Sequence, residues 1–145
     1  GIKGTPFISR ELKGYELDII HGEAWSDCFR RKSMSHIFID QMRVDNKRIR
    51  NDGPGHAGGL GKSGLEAMLA GSLTITSGKA LITEPFFENP PAVFIRPEEL
   101  RATVDFFANN EAKLRDLALK QQDWAKKYLS KQFVKNNILG GNNGR

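Results

Sequence analysis

The order of apolar and polar positions along the chain predicts helices alternating with short strands. Phe7, Ile8 and Leu12 recur at helical spacing and Gly14 ends the pattern, which predicts a helix over residues 5–13. Leu17-Asp18-Ile19-Ile20-His21, stopped by Gly22, reads as a strand. Trp25, Cys28, Phe29 and Met34 predict a helix over 24–34. His36-Ile37-Phe38-Ile39-Asp40 reads as a second strand, and its near-continuous apolar run suits a parallel strand covered on both faces. A long loop over 43–61 gives way to a helix over 62–70, with Leu65, Met68 and Leu69 inward and Gly71 closing it. Leu73-Thr74-Ile75-Thr76 and Ala92-Val93-Phe94-Ile95 read as a third and a fourth strand, separated by a loop carrying Pro85, Pro90 and Pro91. Pro97-Glu98-Glu99 opens a helix to residue 108, with Leu100, Val104 and Phe107 on one stripe. Asn109 or Asn110 then caps a longer helix over 111–137, whose apolar face is Leu114, Leu117, Trp124, Tyr128 and Phe133.

This alternation implies an α/β fold: a Rossmann-like parallel sheet flanked by helices, forming one domain over residues 1–139 and followed by a disordered tail over 140–145. The pattern opens on a helix, so a first strand is expected to be missing before Gly1 and the chain is expected to be part of a larger protein. A length of 145 residues suits one domain with its own core. With one cysteine, Cys28, no internal disulfide forms, and a reducing, cytoplasmic setting is expected. No apolar run approaches the roughly 20 residues of a membrane helix. The formal charge of +5 favours anionic partners without choosing among them, and peripheral contact with acidic lipid is compatible with it. The basic residues are spread along helices and one loop with no recognition module, so no nucleic-acid partner is expected. Three histidines without metal-ligand spacing predict no metal site.

The chemistry concentrates in Gly58-Gly59-Leu60-Gly61-Lys62-Ser63-Gly64-Leu65-Glu66-Ala67-Met68. Glycines let backbone amides approach a ligand, and the helix that follows presents free N–H groups and a positive dipole end to an anion. Lys62 and Ser63 add a charge and a hydroxyl in the first turn. Glu66, one turn on, suits a ribose diol better than a phosphate, because a carboxylate accepts two hydrogen bonds. Gly61-Lys62-Ser63 also invites a P-loop reading, but the first glycine of that motif falls on His56 and the preceding strand ends well upstream. A P-loop-like nucleotide-binding protein and a basic nucleic-acid-binding module are the alternatives.

Several segments, in order, resemble the nucleotide-sugar-binding C-terminal lobe of GT-B fold glycosyltransferases, of the group 1 family that includes sucrose and glycogen synthases. Lys3-Gly4-Thr5 resembles the turn after that lobe's first strand, and Leu17–Gly22 and His36–Gln41 resemble two of its later strands. Gly59-Leu60-Gly61-Lys62-Ser63-Gly64-Leu65-Glu66-Ala67-Met68-Leu69-Ala70-Gly71 resembles its Gly-rich, Glu-Ala-Met signature, and Pro97-Glu98-Glu99-Leu100 with the last two helices resembles its closing segment. The resemblance implies a transferase that moves a sugar from a nucleotide diphosphate sugar to an acceptor hydroxyl. It implies that Glu66 binds the donor ribose, that Lys3 meets the diphosphate, and that Gly59, Gly61, Lys62 and Ser63 wrap the diphosphate and sugar. No cofactor is expected, since basic groups and the helix dipole offset the leaving charge. The partner expected is an acceptor lobe, without which the chain is expected to bind donor but not transfer sugar. One departure is clear: the acid that the family often places eight positions before Glu66 is Gly58 here, with His56 or Asp52 as stand-ins. His21, at the end of its expected strand, is a further candidate. The sequence names no catalytic residue, donor base, sugar or acceptor.

Overall fold

A computed structural model of the chain describes residues 4–42, 60–77 and 91–130. The elements are α1 (Thr5–Glu11), α2 (Trp25–Met34), β1 (Ile37–Ile39), α3 (Lys62–Ala70), β2 (Leu73–Ser77), β3 (Val93–Ile95), α4 (Leu100–Ala108) and α5 (Glu111–Tyr128). A single 3-10 turn, Pro97–Glu99, leads into α4. The strands form a parallel sheet in the order β1-β2-β3, with Ile37 opposite Leu73 and Ile75 opposite Val93. The fold is α/β, a parallel sheet flanked by helices, and this is compatible with a Rossmann-like arrangement.

The pleat divides the strand residues between two layers. Ile37, Ile39, Ile75, Val93 and Ile95 pack with Leu12 of the segment after α1 and with Leu100 and Val104 of α4. On the other face Phe94 packs with Leu60, Met68 of α3, and Trp124 and Ala125 of α5. A third cluster, Leu73, Phe107, Leu114 and Ala118, joins α4 to α5. The apolar stripe expected on α4 is buried, and those expected on α1 and α3 face the clusters, half-buried at Phe7, Ile8, Leu65 and Leu69. Strand β2 is central and buried along its length, but β3 is short. At Thr74 a side chain completes the pairing instead. The buried Gln121 of α5 accepts from the Thr74 N–H at 2.8 Å and donates to the carbonyls of Thr74 at 3.2 Å and Pro91 at 3.1 Å.

Four expectations need correction. Leu17–His21 is not a strand, so the sheet has three strands among the described residues and not four. Most of the segment is exposed to water, and Arg31 ties part of it down. Arg31 holds the Asp18 carboxylate with Nε at 2.9 Å and with Nη2, donates to the Ile19 carbonyl at 3.3 Å, and reaches Glu23 at 2.6 Å. An exposed segment can leave its remaining backbone groups to water and needs no ladder partner. Secondly, Met34 is not on the buried face of α2: it is 70 % exposed, and Lys32 is the buried residue of that helix. Thirdly, Asn110 precedes α5 but makes no side-chain cap, because its amide donates to the Phe106 carbonyl and closes α4. Finally, Pro97–Glu99 opens α4 through a 3-10 turn, tied by the Glu99 carboxylate accepting from the Arg96 N–H at 2.9 Å. That contact, with the Arg96 guanidinium beside it, holds the Glu99 carboxyl below its usual range. The final part of the last predicted helix, over 131–137, lies outside the described residues, as do the loops over 43–59 and 78–90 and the tail over 140–145.

Candidate functional site

In an open parallel sheet the strands all end at one edge, and ligands gather in the crevice there. Backbone bonds continue past β1 to that edge: Asp40 N–H donates to the Ile75 carbonyl and Ser77 N–H to the Gln41 carbonyl, both at 2.9 Å. Two helix starts converge on the same edge. Gly4, preceding α1, has φ 78° and lies so close to Met42 that a Cβ would overlap the Met42 carbonyl oxygen. Only glycine supplies both the left-handed backbone and the space. At the start of α3 the buried Asp40 carboxylate accepts from the Gly61 N–H at 2.7 Å. Gly64, in the first turn, packs over that contact, with a Cβ there falling 2.7 Å from Asp40 Oδ2 and 2.6 Å from Leu60 Cδ1. The glycines of this stretch therefore serve close packing of α3 on the end of β1.

Glu66 lies one turn further into α3 and both its oxygens are held. Lys32 Nζ donates to Oε2 at 2.9 Å and Trp25 Nε1 donates to Oε1 at 3.1 Å. Lys32 is 3 % exposed and Glu66 19 %, so the pair is largely shielded from water. The ammonium also sits 5.2 Å from the centre of the Phe38 ring, whose electron-rich face favours a cation. Burial pushes the Glu66 carboxyl up, but hydrogen bonds from Lys32 and Trp25 and the positive charges of Lys32 and Lys62 outweigh it, leaving it below the usual carboxylate range. Glu66 is therefore ionised at neutral pH. An ionised carboxylate has about four acceptor sites. Lys32 and Trp25 use two, which leaves two acceptor positions, the number a diol needs.

The residues singled out from the sequence fall into three groups. Gly61, Lys62, Ser63 and Glu66 come together on the first two turns of α3 at the carboxyl edge. Lys62 is exposed, Ser63 half-buried, and the first-turn amides of Lys62, Ser63 and Gly64 have no acceptor within the helix. The Gly61 N–H, by contrast, is engaged by Asp40. Lys3, Gly59 and His56 lie outside the described residues, although Gly4 places the start of α1 beside this edge. His21 is exposed on the irregular segment before α2 and makes no hydrogen bond or ion pair among the described residues.

Sequence reasoning missed Lys32 and Trp25 as parts of the site. A signal for Lys32 was present. Residues 25, 28, 29 and 32 form one helical stripe, and Lys32 occupies an apolar position of it. A lysine on an otherwise apolar stripe calls for a carboxylate partner, and Glu66 provides it. Nothing in the spacing announces the Trp25 contact, which spans 41 residues of sequence.

Comparison with family models, with curated proteins and with solved structures finds no match. Among the described residues no group of three or more His, Cys, Asp or Glu side chains is gathered as a metal site would require. No described helix is long and apolar enough to cross a membrane.

Proposed function

We propose that the chain is the donor-binding lobe of a GT-B glycosyltransferase, binding a nucleotide diphosphate sugar whose sugar passes to an acceptor hydroxyl. The observation that carries this reading is the Glu66 carboxylate, kept ionised one turn behind a helix start whose Lys62, Ser63 and Gly64 amides have no acceptor within the helix, at the carboxyl edge of a parallel sheet. A diol and a diphosphate on one nucleotide match those two features in kind: a charged acceptor and a set of N–H donors. Glu66 accepts from the ribose hydroxyls and so fixes the nucleotide's register. The amides of Lys62, Ser63 and Gly64, the Ser63 hydroxyl and the Lys62 ammonium receive the diphosphate, and with the helix dipole they offset the charge that grows on it as the sugar leaves. Asp40 is not a ligand in this scheme. Its carboxylate anchors α3 to β1 and sets where those amides point.

The reading is tested by calorimetric titration of the chain with matched ribo- and deoxyribonucleoside diphosphates, such as ADP and dADP. The wild type should prefer the ribose form by about tenfold or more, since loss of a hydrogen bond to a charged group costs about 1.5–3 kcal/mol. Glu66→Gln should lose most of that preference. Equal affinity for ribo and deoxy forms in the wild type removes Glu66 from the ribose. Tight binding of ATP with magnesium, and of no diphosphate alone, supports the P-loop alternative instead.

A further inference from the structure

We propose that Trp25 is the nucleobase platform of this site, an exposed indole face against which the base of a ribonucleotide stacks; the inference rests on the donor-binding reading above. Trp25 opens α2, and α2 leads through Ser35 and His36 into β1. The helix therefore ends at the amino edge of the sheet and, ten residues long and about 15 Å, begins toward the carboxyl edge. There its indole N–H meets Glu66. A buried tryptophan would explain itself as core, but this one is 60 % exposed. Exposure of so large a ring normally goes with mobility, yet here the ring is fixed twice. Its N–H is bound to Glu66 Oε1, and one side of it stacks on Phe29 at 5.3 Å between centroids with 23° between planes. A ring with one face covered and its edge anchored presents its remaining surface as a rigid slab. Glu66 is anchored in turn by the buried Lys32.

The chemistry that fits both groups at once is a nucleoside. A ribose diol needs the carboxylate, and the base, a short covalent reach from that ribose, has a π-face for the indole. Stacking is tolerant of base identity, so Trp25 supplies affinity for the base as such. The Trp25 hydrogen bond also ties the platform to the ribose-binding carboxylate, so base and ribose are recognised as one rigid unit.

The test compares ADP and UDP with ribose 5-diphosphate, which keeps the diol and the diphosphate but lacks a base, by calorimetry on the full chain. Trp25→Ala should weaken both nucleoside diphosphates by about fivefold to a hundredfold, the range carried by stacking one base on an aromatic side chain, and leave ribose 5-diphosphate within about twofold. Trp25→Phe keeps an aromatic face without the N–H and should recover most of the loss. If Trp25→Ala weakens all three ligands alike, Trp25 acts only through Glu66 and the platform assignment falls while the donor reading stands. If it changes none of them, the platform assignment also falls alone. If the wild type binds none of the three and not GDP either, the donor reading fails and takes the platform with it; binding of GDP alone overturns only the base-tolerant platform.

Discussion

Replacing Lys32 with methionine removes the ammonium that holds Glu66 while keeping an unbranched side chain over Phe38. In the native protein that ammonium lies 2.9 Å from Glu66 Oε2 with Lys32 only 3 % exposed. Breaking a fully buried ion pair from one side costs about 3–5 kcal/mol, because the partner is left charged and dry. Glu66 is less isolated than that. It is 19 % exposed and keeps the Trp25 donor, so water and the indole recover part of the loss. The expected cost of Lys32→Met is therefore about 1.5–3 kcal/mol, the range for one hydrogen bond to a charged group. Urea unfolding should show it as a lower midpoint at an unchanged slope. Adding Glu66→Gln should not add a full second penalty, since the first change has already removed the pair, and the coupling in the double-mutant cycle should be about 1 kcal/mol or more. A single-mutant effect within about 0.5 kcal/mol, as on an ordinary surface position, or strictly additive effects, would refute the claim that Lys32 keeps Glu66 charged.

Three further outcomes follow from the same contacts. Gly64→Ala gains up to about 1 kcal/mol of helix propensity but forces a Cβ against Asp40 Oδ2 and Leu60 Cδ1, so a net loss of about 1–2 kcal/mol is expected by denaturant titration; a more stable variant would mean that the start of α3 relaxes freely. Gln121→Met leaves the Thr74 amide without its glutamine acceptor in a buried site, and thermal unfolding should report a loss of about 2–4 kcal/mol, whereas an unchanged midpoint would show that β2 does not need the side chain. The Glu66 carboxyl lies below its ordinary 4.5 in the folded chain, so its contribution is fully present above about pH 4.5 and is lost as pH falls through the lower folded value. Stability followed from pH 6 to pH 3 should therefore fall less steeply in Lys32→Met than in the wild type, and parallel profiles would count against the pairing.

How much of this was legible in the sequence differs between the sheet and the site. The helix over Lys62–Ala70 and the stripes of α1, α3 and α4 follow from periodicity, because each helix buries one face against the sheet and the residues on it must recur at helical spacing. Leu17–His21 has strand composition, but composition does not say whether a neighbouring strand is there to pair with, and here the segment is mostly exposed, with Arg31 holding Asp18 and the Ile19 carbonyl. On α2 the apolar residues Trp25 and Met34 are exposed while a lysine is buried, because a partner on another helix reverses the usual ranking. The glycines of the candidate site suggested room for a ligand, and Gly61, Lys62, Ser63 and Glu66 do cluster on α3. The same glycines also serve the packing of α3 on Asp40, a demand that only the distance between two elements reveals.

The central claim is tested most directly by a thermal-shift screen of the wild-type chain against UDP, GDP, ADP, CMP and dTDP, run without magnesium. A ligand that binds only the native state adds about 2.7 kcal/mol at a hundredfold its Kd, which raises Tm by several degrees in a domain of this size. The account predicts such a shift with a ribonucleoside diphosphate, abolished or strongly reduced in Glu66→Gln. A shift that is equally large in Glu66→Gln, or one that appears only with ATP and magnesium, would contradict it.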